Sequence, residues 1–257
     1  MMHTMKLSLL FCGLALGLAA CATTPKPTPT APPAPAAKPA TAPLKPLQIV
    51  IIGDSTVCNW PVGDKLHREG WGMHIQEYFV DEVTVSNLAV SGRSTKTFIS
   101  EGRWTKALQE KPDIVLIQFG HNDSHAPTLP EATNAATDFR DNLRKYIDDA
   151  RAIGAVPVLI TPMCRRTATD NLQPYSDAMK AVAAEKHVAL IDLHASSAKL
   201  YAELGPVGVQ ALEANLANGQ YDPTHFNAAG AQAMAKLVMA ELPKEVPEIK
   251  VYLKQPQ

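Results

Sequence analysis

Short apolar runs alternate along this chain with segments of helical periodicity, and this alternation strongly limits its possible folds. Five runs rich in valine, isoleucine and leucine are predicted to be strands, at 47–52, 83–87, 113–119, 155–161 and 188–193. Continuous apolar runs are typical of strands buried on both faces of a parallel sheet. Helices are predicted at 71–80, 100–111, 132–153, 175–187 and 227–242. Right-handed crossovers between such elements give an α/β fold, a three-layer α/β/α sandwich with a five-stranded parallel sheet.

The N-terminal segment 1–20 has the pattern of a signal peptide. Lys6 precedes an apolar stretch with small residues, which is too short for a stable membrane span. The sequence Leu18-Ala-Ala-Cys21 resembles the lipobox of bacterial lipoproteins. That resemblance implies lipidation of Cys21 and, since Ala22 carries no retention signal, an outer-membrane anchor if the host is Gram-negative. Ordinary secretion with an unmodified cysteine is the alternative.

Residues 21–46 are predicted to join this anchor to one folded domain at 47–257. The segment after Cys21 is rich in proline, alanine and threonine and has no acidic residue, which is typical of a semi-extended tether. At about 3.1 Å per residue, such a tether spans roughly 70–80 Å. The remaining length suits one domain with a sizeable core. A net charge of −1 with interspersed acids and bases gives no sign of a nucleic-acid partner.

Polar clusters follow the predicted strands, where open α/β sheets bind their ligands. Four clusters are expected on the same rim: Gly53-Asp54-Ser55-Thr56, Ser91-Gly92-Arg93-Ser94, Gly120-His121-Asn122-Asp123 and, on a short proline-containing loop, Asp222-Pro-Thr-His225. Their convergence indicates a catalytic site.

These clusters supply the parts of a serine hydrolase. Ser55 needs a base to accept its proton, His225 can be that base, and Asp222 can fix the imidazole tautomer. The backbone N–H groups of Ser55 and Gly92 and the side-chain amide of Asn122 are candidate oxyanion donors. Taken singly, Ser55 also suits a helix cap, Gly92 a simple turn and Asn122 a loop stabiliser.

The same residues match the four blocks of the SGNH (GDSL-like) hydrolase superfamily in order. The GDST form around Ser55, together with Gly70-Trp71-Gly72, Ser91-Gly92-Arg93-Ser94 and Asp222-Pro-Thr-His225-Phe226-Asn227, most resembles its rhamnogalacturonan acetylesterase branch. The resemblance covers residues 48–242. It implies a flavodoxin-like strand order 2-1-3-4-5 and release of acetate from O-acetylated plant polysaccharide, with no metal or cofactor.

Several further side chains are weaker candidates for substrate binding. Asp54 abuts Ser55 and either orients its loop or caps the following helix. His121 and Asp123 flank Asn122 and are candidates for ordering its loop. Arg93, Arg165 and Arg166 either bind a uronate carboxylate or are solvated loop charges. Trp60 is a candidate platform for a sugar ring. The substrate-binding set is therefore Asp54, Arg93, His121 and Arg165.

Cys58 and Cys164 are the two cysteines outside the N-terminal segment. Both follow predicted strands, so a disulfide between them and two free thiols are both open. Two isolated cysteines lack the spacing of metal ligands, and no metal site is expected.

The sequence as a whole predicts a lipid-anchored, extracytoplasmic serine esterase that removes acetyl groups from a carbohydrate. One alternative is a lysophospholipase or thioesterase that acts on longer acyl chains. Another is a non-catalytic surface lipoprotein that binds glycans, and a third is a deacetylase of peptidoglycan or exopolysaccharide.

Overall fold

A five-stranded parallel sheet is the middle layer of the computed structural model, which describes residues 43–255 apart from Ala168. Its strands are β1 Leu47–Gly53, β2 Val83–Asn87, β3 Ile114–Gln118, β4 Val156–Ile160 and β5 Ala189–Ile191. They are ordered β2-β1-β3-β4-β5, and all neighbours run parallel. The predicted sheet and its strand order are confirmed. The predicted signal peptide, Cys21 and most of the linker lie outside the described residues.

Helices cover both faces of this sheet. They are α1 Thr95–Ser100, α2 Arg103–Gln109, α3 Asp138–Ala152, α4 Gln173–Lys186, α5 Leu193–Gln210 and α6 Ala228–Glu245, with 3-10 helices at Trp71–Tyr78 and Pro247–Tyr252. Within the described part of the chain, no helix has the length and apolar character needed to span a membrane.

Alternate side chains of β1 enter two separate cores. Ile49 and Ile51 pack with residues of α6 and the two 3-10 helices, whereas Val50 and Ile52 pack with residues of α1 to α4. All four side chains are fully buried. Successive residues of the strand point to opposite layers, and helices cover both. This explains why the strand is apolar at every position from Ile49 to Ile52.

Two predicted helices differ from the structure. The helix predicted at 100–111 is α2, Arg103–Gln109, and a separate helix, α1, precedes it. Gly102, whose φ of 70° is left-handed, lies between them. The helix predicted from residue 132 begins at Asp138. Ahead of it, Asn134 Oδ1 accepts the backbone N–H of Ala136 at 2.8 Å, and Asp138 Oδ1 accepts that of Asn134 at 2.6 Å. Because these side chains accept hydrogen bonds from backbone N–H groups, the helix begins later than the sequence predicts.

The segment after β5 is more ordered than the sequence pattern predicts. It forms α5 and then a two-stranded antiparallel sheet of β6 Glu213–Asn215 and β7 Tyr221–Phe226. Asp222-Pro-Thr-His225 is therefore part of a strand and not a loop. Helix α5 is hard to predict because Ser196 and Ser197 lie near its start and Gly205-Pro206 interrupts it near the end.

Candidate active site

Ser55 lies in the turn that directly follows β1. The turn starts from Gly53, where an added Cβ would lie only 2.6 Å from the carbonyl oxygen of Gln118 on β3. Glycine therefore allows the end of β1 to approach β3 closely. Ser55 is 6% exposed, whereas Asp54 and Thr56 on either side of it are fully buried.

The structure brings Ser55 together with the two residues predicted to activate it. His225 Nδ1 lies 2.7 Å from Asp222 Oδ2, and Nε2 lies 2.9 Å from Ser55 Oγ. Because the carboxylate can only accept, Nδ1 carries the hydrogen and Nε2 is free to accept from the serine hydroxyl. This line of hydrogen bonds can deprotonate Ser55 as it attacks a carbonyl carbon.

Hydrogen bonds to the Asp222 carboxylate favour its ionised form. Its Oδ1 accepts the backbone N–H groups of Thr224 at 2.8 Å and His225 at 3.1 Å, leaving Oδ2 for the imidazole. Burial raises the pKa of Asp222, but the hydrogen bonds and charge of His225 and the backbone donors outweigh it and lower that pKa to about 2. The carboxylate is therefore available to support an imidazolium.

The proposed oxyanion donors lie on loops that are tied to the serine turn. Val90 N–H donates to the carbonyl of Gly53 at 2.9 Å, and Asn122 Nδ2 donates to the carbonyl of Arg93 at 3.0 Å. The Asn122 amide keeps a second N–H beyond the one donated to Arg93. Gly92 is exposed and has a φ of 77°, a conformation that favours glycine.

Asp123 directly follows Asn122, a candidate oxyanion donor, and ties the loop of both residues to α1. Its carboxylate accepts from Thr95 Oγ1 at 2.6 Å and from Thr133 Oγ1 at 3.0 Å. Burial raises the pKa of Asp123 to about 7 against the opposing effect of these hydrogen bonds. This contact explains the ordering role that the sequence allowed for the residue.

Asp54 and His121 do not fit the predicted role in substrate binding. Asp54 is 0% exposed and His121 is 4% exposed, so neither presents a surface to a polymer. Asp54 Oδ1 accepts the N–H and hydroxyl of Thr56 at 2.9 and 2.7 Å, and its Oδ2 lies 3.5 Å from His121 Nδ1. Burial raises the pKa of Asp54, but His121 and Thr56 reverse that effect and lower it. Burial lowers the pKa of His121.

The two predicted substrate-binding arginines have different surroundings. Arg93 is partly exposed and pairs with Glu101, its Nε lying 3.1 Å from Oε2. Arg165 lies beside the triad strand, where Nη1 donates to Thr224 Oγ1 at 3.0 Å and Nε donates to Asn171 Oδ1 at 3.1 Å. Burial lowers the pKa of Arg165. Of the two arginines, Arg165 is thus the one placed next to the strand that carries Asp222 and His225.

Arg166 is a structural residue of the site and does not face a substrate. Its side chain is 1% exposed and its Nε lies 3.2 Å from Glu213 Oε1. Its Nη2 donates to the carbonyls of Asp222 at 3.3 Å and His225 at 3.0 Å, and its guanidinium lies 4.0 Å from the Phe226 ring centroid. The sequence interpretation of a uronate-binding Arg166 is wrong, because packing of β7 buries it.

Trp60 supports the triad in a way that its sequence position did not reveal. Its indole N–H donates to the carbonyl of Ser55 at 3.0 Å, and its ring meets the His225 ring edge-on at 5.7 Å. The guanidinium of Arg68 covers the Trp60 ring at 3.7 Å and pairs with Asp64 at 2.9 Å. A guanidinium therefore stacks on the ring that was considered a sugar platform.

Cys58 and Cys164 are free in the structure, so the disulfide is not formed. Cys58 is buried with its Sγ 3.7 Å from the carbonyl of Ser55, and burial raises its pKa to about 12. Cys164 Sγ lies 3.3 Å from Asp170 Oδ2. Each sulfur thus faces a separate polar partner.

Comparison with known proteins gives a consistent result. The model of the GDSL-like Lipase/Acylhydrolase family matches residues 51–233. The probable rhamnogalacturonan acetylesterase YesY of Bacillus subtilis (strain 168) is 38% identical over 197 residues, covering 74% of this chain and 89% of that relative. Rhamnogalacturonan acetylesterase RhgT of the same organism is 38% identical over 211 residues, covering 76% and 88%.

A solved structure supports the same architecture. The crystal structure of the YxiM protein from Bacillus subtilis superposes with a TM-score of 0.65 at 27% sequence identity, covering 79% of this chain and 58% of that one. The matched family segment contains the serine turn and both oxyanion loops, and it also includes the His225 strand.

Proposed function

The chain belongs to the GDSL-like lipase/acylhydrolase family and is a carboxylic ester hydrolase, and from this premise we propose that it removes O-acetyl groups from a carbohydrate through an acetyl-Ser55 intermediate. The observation that carries the proposal is the continuous hydrogen-bonded line from Ser55 through His225 to Asp222. Two relatives named as rhamnogalacturonan acetylesterases support acetyl as the acyl group.

In the first half of the reaction, Ser55 Oγ attacks the acetyl carbonyl while His225 Nε2 takes its proton. Asp222 stabilises the resulting imidazolium through Nδ1–H. The negative charge on the carbonyl oxygen is stabilised by the N–H groups of Ser55 and Gly92 and the amide of Asn122. When the tetrahedral intermediate collapses, His225 gives its proton to the departing sugar oxygen.

The second half reverses these roles with water in place of the sugar. His225 Nε2 accepts a proton from water as the water oxygen attacks the acetyl carbon. The same donors stabilise the second oxyanion. Collapse breaks the bond to Ser55 Oγ, which regains its proton from His225. Acetate leaves, and the enzyme returns to its starting state without a cofactor.

We propose an acetylated, uronate-containing plant cell-wall polysaccharide as the substrate. The names of the two relatives support rhamnogalacturonan. Arg165 supports an acidic polymer, because its guanidinium lies against the triad strand and contacts Thr224. A guanidinium can bind a carboxylate through two hydrogen bonds.

A Ser55→Ala variant tests the mechanism. It should lose nearly all hydrolysis of a small acetyl ester, by several orders of magnitude, while its circular dichroism and melting temperature stay near wild type. A fluorophosphonate probe should label wild type and not Ser55→Ala. Ser100→Ala, which removes a hydroxyl at the exposed end of α1, is the matched control and should behave as wild type. Turnover by Ser55→Ala near the wild-type rate contradicts the proposal.

Acetate release from rhamnogalacturonan, pectin and xylan, each acetylated, tests the substrate. The proposal expects the highest kcat/KM with acetylated rhamnogalacturonan, and an Arg165→Met variant should lose more activity on this polymer than on a neutral acetyl ester. Synthetic esters of increasing acyl chain length test the alternative to an acetylesterase. A preference for long acyl chains instead indicates a lysophospholipase or thioesterase.

We also propose that a lipid anchor at Cys21 holds the enzyme at a membrane, outside the cytoplasm. The lipobox-like Leu18-Ala-Ala-Cys21 and the proline-rich tether support this proposal. Cys21→Ala should move the protein from the membrane fraction to the soluble fraction. Cys12→Ala, within the predicted signal peptide, should leave it in the membrane fraction. Membrane retention of Cys21→Ala contradicts the anchor.

A further inference from the structure

Three side chains outside the esterase triad converge beside the ends of β4 and β5. Cys164 follows β4, His194 lies in the first turn of α5, and Asp170 precedes α4. Asp170 Oδ2 lies 3.3 Å from Cys164 Sγ and 2.8 Å from His194 Nε2. The three donor atoms all lie within 4.8 Å of one another.

Neighbouring groups hold these side chains in their orientations. Asp170 Oδ1 accepts the backbone N–H of Leu172 at 3.0 Å, which leaves Oδ2 for the cluster. The backbone N–H of Cys164 donates to Ser197 Oγ at 2.9 Å. His194 is 5% exposed and is therefore fixed by packing. Outer contacts of this kind orient ligands at metal sites.

We propose that Cys164, Asp170 and His194 bind one divalent transition-metal ion of the zinc class. Thiolate sulfur, imidazole nitrogen and carboxylate oxygen are ligands that zinc accepts, at about 2.0–2.3 Å. Tetrahedral placement at those lengths separates ligand atoms by roughly 3.3–3.8 Å, so only small side-chain shifts are needed. The thiolate and carboxylate supply two negative charges against the two positive charges of the ion.

Binding requires a defined exchange of protons. The Cys164 thiol releases its proton to solvent and the sulfur then bonds the ion. His194 changes tautomer so that Nε2 presents its lone pair, and Asp170 Oδ2 exchanges its hydrogen bonds with Cys164 and His194 for a bond to the metal. No oxidation or reduction occurs.

A nucleophilic role for Cys164 fits the geometry less well. Its thiol contacts Asp170, an acceptor that favours the protonated sulfur, and His194 contacts the same carboxylate. A reactive cysteine needs a neighbouring cation or base that favours the thiolate, and a metal ion would supply that charge.

The neighbouring Arg165 does not occupy the proposed ion position. Its guanidinium donates to Asn171 Oδ1 and Thr224 Oγ1 instead. An ion can reach the cluster from solvent, because Cys164 also lines a cavity of about 480 Å³ with Tyr201 and the Asp170 side chain is 25% exposed.

The ion would have a structural role and take no part in ester cleavage. It would join the segment after β4 to the start of α5. Cys164 directly precedes Arg165, which bonds Thr224 in the triad strand. Metal binding should therefore steady the position of Arg165. The proposed metal site does not depend on the proposed esterase activity.

Cobalt titration of the full chain tests this proposal directly. The protein is purified without a histidine tag, treated with chelator and reduced, and then titrated with Co²⁺. We expect saturation at one ion per chain, visible-region bands of tetrahedral cobalt and a near-ultraviolet thiolate-to-cobalt charge-transfer band. Zn²⁺ should displace the cobalt and raise the melting temperature.

Ligand variants locate the ion, and the second cysteine provides a matched control. Cys164→Ser should lose the charge-transfer band, whereas Cys58→Ser should keep it. Asp170→Asn and His194→Gln should each weaken cobalt binding by at least about 10-fold. Absence of saturable binding by wild type overturns the proposal, as does a charge-transfer band that persists in Cys164→Ser. Circular dichroism of every variant separates lost binding from lost folding.

Discussion

The buried guanidinium of Arg166 donates a hydrogen bond to the backbone carbonyl of His225 at 3.0 Å. The same Nη2 reaches the carbonyl of Asp222 at 3.3 Å, so one side chain from the segment after β4 holds the main chain of both triad partners. Nε pairs with Glu213 on β6, the neighbouring strand. The position of the His225 backbone therefore depends on the buried Arg166–Glu213 ion pair.

Removal of the Arg166 charge should destabilise the protein and misplace the triad. Arg166→Met leaves Glu213 buried without its partner, and we expect the free energy of unfolding to fall by about 3–5 kcal/mol. The kcat for a small acetyl ester should also fall. Urea unfolding and steady-state kinetics measure the two effects. Arg144→Met removes an exposed pair with Glu185 and is the control. Equal stability of the two variants would contradict this account.

Asp222→Asn should separate orientation of the imidazole from binding of the ester. Asparagine keeps the shape of the side chain but cannot fix the required tautomer or support the imidazolium, so kcat should fall by about 10⁴-fold. The KM for a small acetyl ester should change little. Asp177→Asn on the exposed face of α4 is the control. A kcat within a few-fold of wild type would remove Asp222 from the mechanism.

The low pKa of Asp222 predicts how stability depends on pH. The folded pKa of about 2 lies below the ordinary aspartate pKa of 3.8, so the ionised carboxylate stabilises the fold above pH 3.8. This contribution is lost as pH falls from about 4 to 2. The difference in unfolding free energy between wild type and Asp222→Asn should therefore shrink over that range. A difference that is constant from pH 6 to 2 is inconsistent with the lowered pKa.

Asn122→Ala should affect the transition state more than the bound ester. Loss of one oxyanion donor should lower kcat by about 10²–10³-fold with a small change in KM. The exposed Asn218 offers a control, since Asn218→Ala leaves the site untouched. A raised KM with an unchanged kcat would show that Asn122 binds the ground state instead.

Trp60 should act through the positions of Ser55 and His225. Trp60→Phe removes the N–H that donates to the Ser55 carbonyl but keeps an aromatic ring, whereas Trp60→Ala also removes the edge contact with His225. We expect kcat to fall in the order wild type, Phe, Ala, approaching about 10²-fold for Ala. KM for a small ester should stay nearly constant. Wild-type kcat in Trp60→Ala would exclude a positioning role.

The sheet could be predicted because burial on two faces leaves a local signature. Strands β1 and β3 are apolar at successive positions, and the polar groups at their carboxyl ends identify the rim. The strand order followed from resemblance to a family, which also supported the site roles that residue chemistry had suggested. By contrast, α5 and β7 were missed because kinks and proline weaken their periodicity and their stability comes from tertiary packing.

The substrate-binding set shows where residue type alone is insufficient. Arg165 and Arg166 are adjacent arginines after the same strand, yet Arg165 lies beside the triad and Arg166 is buried under β7. Asp54 and His121 follow strands as ligand-binding residues do, but packing encloses both. Exposure of a loop side chain depends on neighbours that are distant in sequence.

The sequence by itself determined the layered fold and predicted Ser55, Asp222 and His225 as the parts of a triad. It did so because strand burial and the chemical types of polar residues are local properties. Only the tertiary structure decided that Arg166 and Trp60 support that triad, and that Cys164 lies beside Asp170 and His194. These contacts depend on packing between segments far apart in the chain, where neither spacing nor composition specifies which side chains meet.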